Sequence, residues 1–113
     1  MIDSVTFGNM TIDGKTHDSD LIIHPDGRVE DDWIRDKGHE LKPRDIQSLA
    51  DCDCDVVVCG TGIHGKMQPD PEVERMFRQK GIDFQAAPTR EAARMYNEQK
   101  DKARTAACFH LTC

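Results

Sequence analysis

Residues 55–65 read Asp-Val-Val-Val-Cys-Gly-Thr-Gly-Ile-His-Gly, and this stretch decides the fold class of the chain. Its valines are apolar and β-branched, which is typical of a strand buried on both faces in the centre of a sheet. The glycines that follow have the spacing G-x-G-x-x-G, with which dinucleotide-binding proteins hold a pyrophosphate on backbone N–H groups. Here the next helix cannot begin before Asp70-Pro71, so its N-terminus cannot point at that phosphate. The motif therefore predicts a tight turn or a small anion-binding loop and argues against a dinucleotide site.

Length, composition and net charge limit which kind of protein this is and which partners it can bind. A length of 113 residues with 37% hydrophobic and 32% charged residues predicts a single domain over residues 1–113. The net charge of −6 disfavours nucleic acid as a partner, because phosphate backbones would be repelled. No apolar run is long enough to span a membrane. The first residues contain neither a basic region nor a long apolar stretch, so a cytoplasmic location is expected.

The cysteines predict free thiols rather than a disulfide or metal framework. There are five of them, an odd number, and none falls in a C-x-x-C pair, so the reduced state is expected. Cys52 and Cys54 are separated by one residue, but the remaining ligands of a metal site are missing around them. Neither a metal nor a cofactor is predicted.

The order of elements predicts an α/β fold. The first third of the chain has short alternating segments and a Pro-Asp-Gly turn at residues 25–27, which indicate a meander of strands. Residues 30–32 and 35–40 are charged or too polar to bury and predict an exposed loop, while Trp33-Ile34 between them are apolar. Helical and strand patterns then alternate: a short helix after Pro43, a helix capped by Asp70, a strand over 82–86, a helix that begins with Thr89 as N-cap, and a strand over 106–113. Parallel strands with helices on both faces follow from this order.

Seven short motifs, each in a characteristic place along the chain, carry a family resemblance. They are Phe7-Gly8, Asp20-Leu-Ile-Ile, Gly38-His39, Gly60-Thr-Gly, Pro88-Thr89 with Ala92, Tyr96-Asn97 and His110-Leu-Thr-Cys113. In order and spacing the chain resembles the adipogenesis-associated Mth-domain family over essentially its whole length. That family includes a mitochondrial complex I assembly factor and many small bacterial and archaeal proteins of unassigned biochemistry. The resemblance implies a three-layer α/β single domain, with a mixed central sheet, helices on both faces and an added N-terminal β layer. It implies no established catalytic activity.

The candidate site lies where strands end. Ligands of open α/β sheets bind outside the carboxyl ends of the strands, and the glycine turn and the start of the last helix are both expected there. His64 is the histidine best placed for chemistry, although no nucleophile is arranged beside it. The Tyr-Asn pair of the family is matched at Tyr96 and Asn97. The candidate ligand-binding residues are Gly60, Thr61, Gly62, His64, Pro88, Thr89 and Asn97.

Two functions remain open at this point. One is a non-enzymatic binding or assembly module that engages a protein partner; the other is a pocket for a small anionic ligand, with a reaction on that ligand left open. The alternative for the loop itself is that the glycines only form a tight turn and Thr89 only caps a helix. If the pocket exists, a Gly62→Val variant is expected to keep its melting temperature and lose its response to an anion.

Overall fold

The computed structural model describes all residues 1–113. No helix has the length and apolarity needed to cross a membrane. The helices are a 3₁₀ helix (Pro43–Asp45), α1 (Gln47–Ala50), α2 (Pro71–Gln79) and α3 (Thr89–Gln99). The strands are β1 (Ile2–Thr6), β2 (Asn9–Ile12), β3 (Lys15–His17), β4 (Leu21–Ile23), β5 (Val29–Glu30), β6 (Glu40–Leu41), β7 (Val56–Thr61), β8 (Gln68–Pro69), β9 (Asp83–Ala87) and β10 (Thr105–His110).

The central sheet has five strands in the order β5-β4-β10-β7-β9. Strands β9, β7 and β10 are parallel, whereas β4 pairs antiparallel with β10 and β5 antiparallel with β4. The buried Val56–Val58 segment lies between two neighbours, as its continuous apolar pattern predicts. The ends of β7, β9 and β10, together with the start of β4, form one side of the sheet, which we call the carboxyl edge.

Two apolar cores cover the two faces of this sheet. On one face, α1 and α2 contribute Leu49, Val73 and Phe77 to a core that also contains Trp33. On the other face, α3 packs beside a separate antiparallel sheet of β1, β2 and β3, and Phe109 of β10 is buried in this second core. The predicted architecture is therefore confirmed: a mixed central sheet, helices on both faces and an added N-terminal β layer.

Local signals explain where α2 begins and why the helix after Pro43 is short. Asp70 Oδ1 accepts a hydrogen bond of 2.9 Å from Glu72 N, and Pro71 is the first helical residue. After the 3₁₀ turn, Ile46 adopts φ −135° and ψ 20°, which interrupts the helix. Only one α-helical turn, Gln47–Ala50, follows it.

The cysteines between α1 and β7 correct one expectation. Cys52 and Cys54 form a disulfide, while the other three cysteines, of which Cys113 is partly exposed, remain free. The prediction of five reduced thiols is therefore wrong for this pair. The chain turns here, so the two Cα atoms lie 5.6 Å apart, within the range that a disulfide spans.

Candidate functional site

The glycine turn after β7 and the start of α3 meet at the carboxyl edge, as predicted. Thr89 Oγ1 accepts a hydrogen bond of 2.9 Å from Gly62 N, and Thr89 N donates one of 2.9 Å to Gly62 O. The same hydroxyl donates to the carbonyl oxygen of His110 at 2.6 Å. One fully buried threonine thus ties together the ends of β7 and β10 and the first turn of α3.

This role of Thr89 corrects its assignment as N-cap. The N-cap position is Pro88, which has no side chain able to cap, and Thr89 is the first helical residue. Its hydroxyl is used in tertiary hydrogen bonds across the edge, so it leaves the N–H groups of its own helix uncapped. The pattern located the helix start within one residue, but the function of the hydroxyl differs.

The backbone donors of the turn are consumed inside the protein, although the sequence suggested that they would be free for a ligand. Five of the six backbone amides of residues 62–67 donate hydrogen bonds to protein acceptors, and His64 N is the exception. A loop with one free amide does not form the concave set of donors that binds an anion. The bonds are Gly62 N to Thr89 Oγ1, Ile63 N to Thr112 O, Gly65 N to Gly62 O, Lys66 N to Cys113 O and Met67 N to Thr61 O.

Both glycines at the end of β7 are required by close packing. A Cβ atom on Gly60 would lie 2.5 Å from Phe109 Cδ1 and 2.9 Å from Thr89 Oγ1. Gly62 has φ +109°, and its Cβ would lie 2.4 Å from the carbonyl carbon of Cys113. The expectation that Gly62→Val folds normally is therefore wrong, because this position combines a backbone conformation that favours glycine with contact to main chain.

The remaining candidate residues do not converge on the turn. His64 is exposed, and its ring centroid lies 6.2 Å from that of Phe7. Pro88 is exposed beside Gly65. Asn97 lies farther along α3, where its side chain accepts from Ile2 N at 2.8 Å and donates to Ile2 O at 2.9 Å. Asn97 therefore fastens β1 to α3, and a ligand-binding role for these residues stays a prediction.

A buried charged cluster at the same edge was not predicted from the sequence. Asp20, which directly precedes β4, lies next to His110 at the end of β10: His110 Nδ1 is 2.8 Å from Asp20 Oδ2. Asp20 Oδ1 accepts from Leu111 N at 2.8 Å. Arg35 Nη1 is 2.9 Å from Asp20 Oδ2, and its Nη2 is 3.0 Å from His110 Nδ1. The Asp20–Arg35–His110 cluster thus joins the loop after β5 to two neighbouring strands.

Arg35 overturns the expectation that the polar loop is exposed. Its side chain is 4% exposed, its guanidinium carbon lies 4.7 Å from the centroid of the Trp33 ring, and Nη2 donates to Gly38 O. The polar sequence of the loop hides this burial because the partners are 15 residues before Arg35 and 75 residues after it. Arg35 Nε has no hydrogen-bond acceptor, and Nη1 meets Asp20 as an ion pair without a geometric hydrogen bond. The arginine is therefore held by that ion pair, by the hydrogen bonds of Nη2 and by its contact with Trp33.

The cluster holds Asp20 in its ionised form. Burial opposes ionisation, but the hydrogen bonds from His110 and from Leu111 N, together with the charge of Arg35, keep the pKa of Asp20 below its usual value. A carboxyl group whose pKa falls on folding stabilises the native state above its unfolded pKa of about 4. That contribution is lost as the pH falls through the lowered pKa of the folded protein.

The chemistry available to the cluster is limited by its own contacts. With a proton on Nδ1, His110 donates to Asp20; without it, Nδ1 accepts from Arg35. The nearest hydroxyl to His110 Nε2 is that of Thr112, at 3.5 Å, and none of the main surface cavities is lined by the cluster. No group of three or more His, Cys, Asp or Glu side chains is arranged to hold a metal ion. The contacts of Arg35 with Asp20, His110 and Gly38 position the loop after β5 on the carboxyl edge.

Comparison with known proteins assigns the chain to a family. Residues 2–110 match the model of a family described as protein of unknown function (DUF498/DUF598). The chain belongs to this family. It is the family of Mth938-like domain proteins, so the resemblance seen in the sequence motifs is confirmed at that level.

Solved structures of relatives agree with this assignment. The conserved hypothetical protein PH1505 of Pyrococcus horikoshii is 32% identical, with a TM-score of 0.90 over 100% of this chain and 99% of that one. The protein MT938 is 28% identical, with a TM-score of 0.81 over 100% of this chain and 98% of that one. XCC1710 of Xanthomonas campestris, at 20% identity and a TM-score of 0.80 over 98% of this chain and 83% of that one, shows the fold alone. None of these descriptions states an activity.

Proposed function

We propose that this Mth938-like domain is a non-enzymatic module that binds a protein partner at the carboxyl edge of its sheet. The observation that carries the proposal is the exposure of large apolar side chains at an edge whose own backbone is closed by hydrogen bonds. The glycine turn, Thr89 and the Asp20–Arg35–His110 cluster then act as a rigid support. The assembly factor named among the family members supports such binding by analogy only.

Two apolar side chains flank the end of β10. Phe7 is 54% exposed at the tip of the β1–β2 hairpin, and the neighbouring Gly8 N donates to Leu111 O at 2.8 Å. Ile34 is 83% exposed next to the buried Arg35. Besides Met1 at the chain start, these are the exposed large hydrophobic residues of the protein. Single exposed apolar residues are common on protein surfaces. Two such side chains beside one rigid edge of a sheet, however, can act as the apolar anchors that contribute most of the affinity of a protein–protein interface.

We expect a Phe7→Ser/Ile34→Ser double variant to lose the partner. Buried apolar anchors each contribute on the order of 2 kcal/mol to interfaces, so affinity should fall at least tenfold. The measurement is capture from source-cell extract on immobilised domain, followed by the Kd of the purified companion.

The matched control is the double variant Glu98→Ser/Lys102→Ser. Both residues are exposed and polar; Glu98 lies in the last turn of α3 and Lys102 just after the helix. It should bind like the wild type, and both variants should keep the circular dichroism spectrum of the native fold. Recovery of no companion above background contradicts the proposal. So does equal binding by the two double variants.

A second candidate function is the binding of a small anionic ligand. One observation favours such a site, but it lies away from the glycine turn. A cavity of about 210 Å³ lies between β1 and α3 and is lined by Arg90, Arg94 and Asn97 among its eight residues. Both arginines are exposed one helical turn apart, and neither forms an ion pair. Asp3, whose carboxylate accepts from Gly14 N at 2.8 Å, lies on the opposite wall and opposes an anion there.

Thermal unfolding tests this second candidate. A screen of inorganic phosphate, phosphosugars, nucleotides and carboxylates is expected to raise the melting temperature for one ligand class, because binding to the native state stabilises it by mass action. Arg94→Gln should abolish the shift, whereas Arg78→Gln on α2 should keep it. A flat screen, or a shift that survives Arg94→Gln, removes this candidate.

A further inference from the structure

We propose that Cys52 and Cys54 form a reversible disulfide that exchanges with external thiols. The pair lies between the end of α1 at Ala50 and the start of β7 at Val56. This is the end of β7 away from the carboxyl edge, so the proposed exchange site is independent of the partner-binding surface.

The disulfide contributes little to holding the fold together. It joins residues two positions apart and thus closes a loop of three residues. Disulfides restrict the unfolded chain less as the closed loop shortens, so a loop of this size stabilises the native state least. The surrounding core, which includes Leu49 and Val57, is built from apolar contacts that do not need the bond. Opening the disulfide should therefore leave the domain folded.

The two sulfur atoms differ in access. Cys52 is partly exposed, whereas Cys54 is 7% exposed and belongs to the apolar core under α1. An incoming thiolate can thus reach Cys52 Sγ. The carbonyl oxygen of Leu49 lies 3.8 Å from Cys54 Sγ, so a thiol released at Cys54 finds an acceptor for its S–H group.

The local charges do not exclude an anionic thiol. Asp51, Asp53 and Asp55 alternate with the two cysteines along the chain. Arg104 pairs with Asp53 at 2.6 Å and with Asp55 at 3.1 Å, and Lys80 lies 3.8 Å from Asp51. Cationic partners therefore offset most of the carboxylate charge, and a thiol of the glutathione type can approach.

The exchange balances in two steps. A thiolate attacks Cys52 Sγ, the S–S bond breaks with its electron pair on Cys54 Sγ, and Cys54 takes a proton from water. A second thiolate attacks the external sulfur of the mixed disulfide, which releases the external disulfide and, after protonation, the Cys52 thiol. Two external thiols thus supply the two electrons that reduce the protein disulfide.

Counting thiols in the native protein tests the proposal. The folded protein is equilibrated in buffers of oxidised or reduced glutathione, quenched in acid, unfolded, alkylated and weighed by mass spectrometry. The expected result is three cysteines outside a protein disulfide in the oxidising buffer, each alkylated or carrying one glutathione that its mass reveals, and five alkylated cysteines in the reducing buffer, with one circular dichroism spectrum in both. Five in both buffers means that the pair does not form, and three in both means that it does not open; either result overturns the proposal.

Single variants locate the attacked sulfur. Cys54→Ser should accumulate glutathione on Cys52, identified by peptide mass, whereas Cys113→Ser, which removes the other partly exposed thiol, should switch like the wild type. Loss of the switch in Cys113→Ser contradicts the assignment to the Cys52–Cys54 pair. If Cys54→Ser does not fold, the wild-type titration still decides the outcome.

Discussion

An Asp20→Asn variant is expected to lose about 3–5 kcal/mol of the free energy of unfolding at neutral pH, because it leaves the guanidinium of Arg35 buried without its counter-ion. The side chains of Asp20 and Arg35 are 17% and 4% exposed, so water compensates the lost charge poorly. Denaturation by urea measures the change. Asp18→Asn, at an exposed aspartate two residues earlier that forms no ion pair, is the matched control and should change stability by less than about 0.5 kcal/mol.

Two further measurements separate the ion pair from other effects of the substitution. A double variant, Asp20→Asn/Arg35→Met, removes both charges and should be more stable than Asp20→Asn alone. The difference between wild type and Asp20→Asn should also narrow as the pH falls below about 4 towards the lowered pKa of Asp20 in the folded protein, because the carboxylate of the wild type is then protonated. A difference that does not narrow in acid below about pH 4 contradicts the role assigned to the carboxylate.

Gly62→Ala should destabilise the protein by about 3 kcal/mol or more. Strain at positive φ costs on the order of 1–3 kcal/mol, and forcing a group into a filled space costs typically 1–3 kcal/mol more. The new Cβ atom would meet the main chain of Cys113 at 2.4 Å and His110 Cδ2 at 2.9 Å, and moving Cys113 away would disturb the hydrogen bond that its carbonyl oxygen accepts from Lys66 N. Thermal or urea unfolding gives the value.

Gly81→Ala is the matched control for this prediction. Gly81 also has a positive φ, +74°, but nothing lies within 4 Å of the position that its Cβ would occupy. Only the backbone term applies there, so a cost of about 1–2 kcal/mol is expected. Equal losses of stability in Gly62→Ala and Gly81→Ala would show that Gly62 is needed only for its backbone conformation. Its close contact with the residues after β10 would then have no effect on stability.

Elements whose signals are local could be predicted from the sequence. Asp70 and Pro71 fix the start of α2 because an N-cap and a first-turn proline act on neighbouring backbone groups. Val56–Val58 predicted the central strand for a similar reason, since burial on both faces demands a continuous apolar run. From these signals the sequence predicted parallel strands with helices on both faces and the meeting of the glycine turn with α3, whereas the mixed sheet and the added N-terminal β layer were implied by the family resemblance.

The charged cluster could not be predicted, because its members come together only through strand pairing. Asp20 lies beside His110 since β4 pairs antiparallel with β10, a contact between residues 90 positions apart. Arg35 is buried by those partners and by Trp33, while its own neighbours in sequence are polar. The position of Thr89 at the helix start could be predicted because the signals for a helix start are local. The role of its hydroxyl could not, because the groups that it bonds lie on β10 and in the glycine turn.

The carboxyl edge is closed by its own hydrogen bonds, and the proposed partner binding therefore rests on exposed side chains. Amide hydrogen exchange in ¹H–¹⁵N spectra, recorded with and without inorganic phosphate, tests this most directly. We expect the amides of Gly62, Ile63 and Met67 to exchange slowly and to keep their chemical shifts when phosphate is added. Rapid exchange of these amides, with shifts that follow the phosphate concentration, would contradict it.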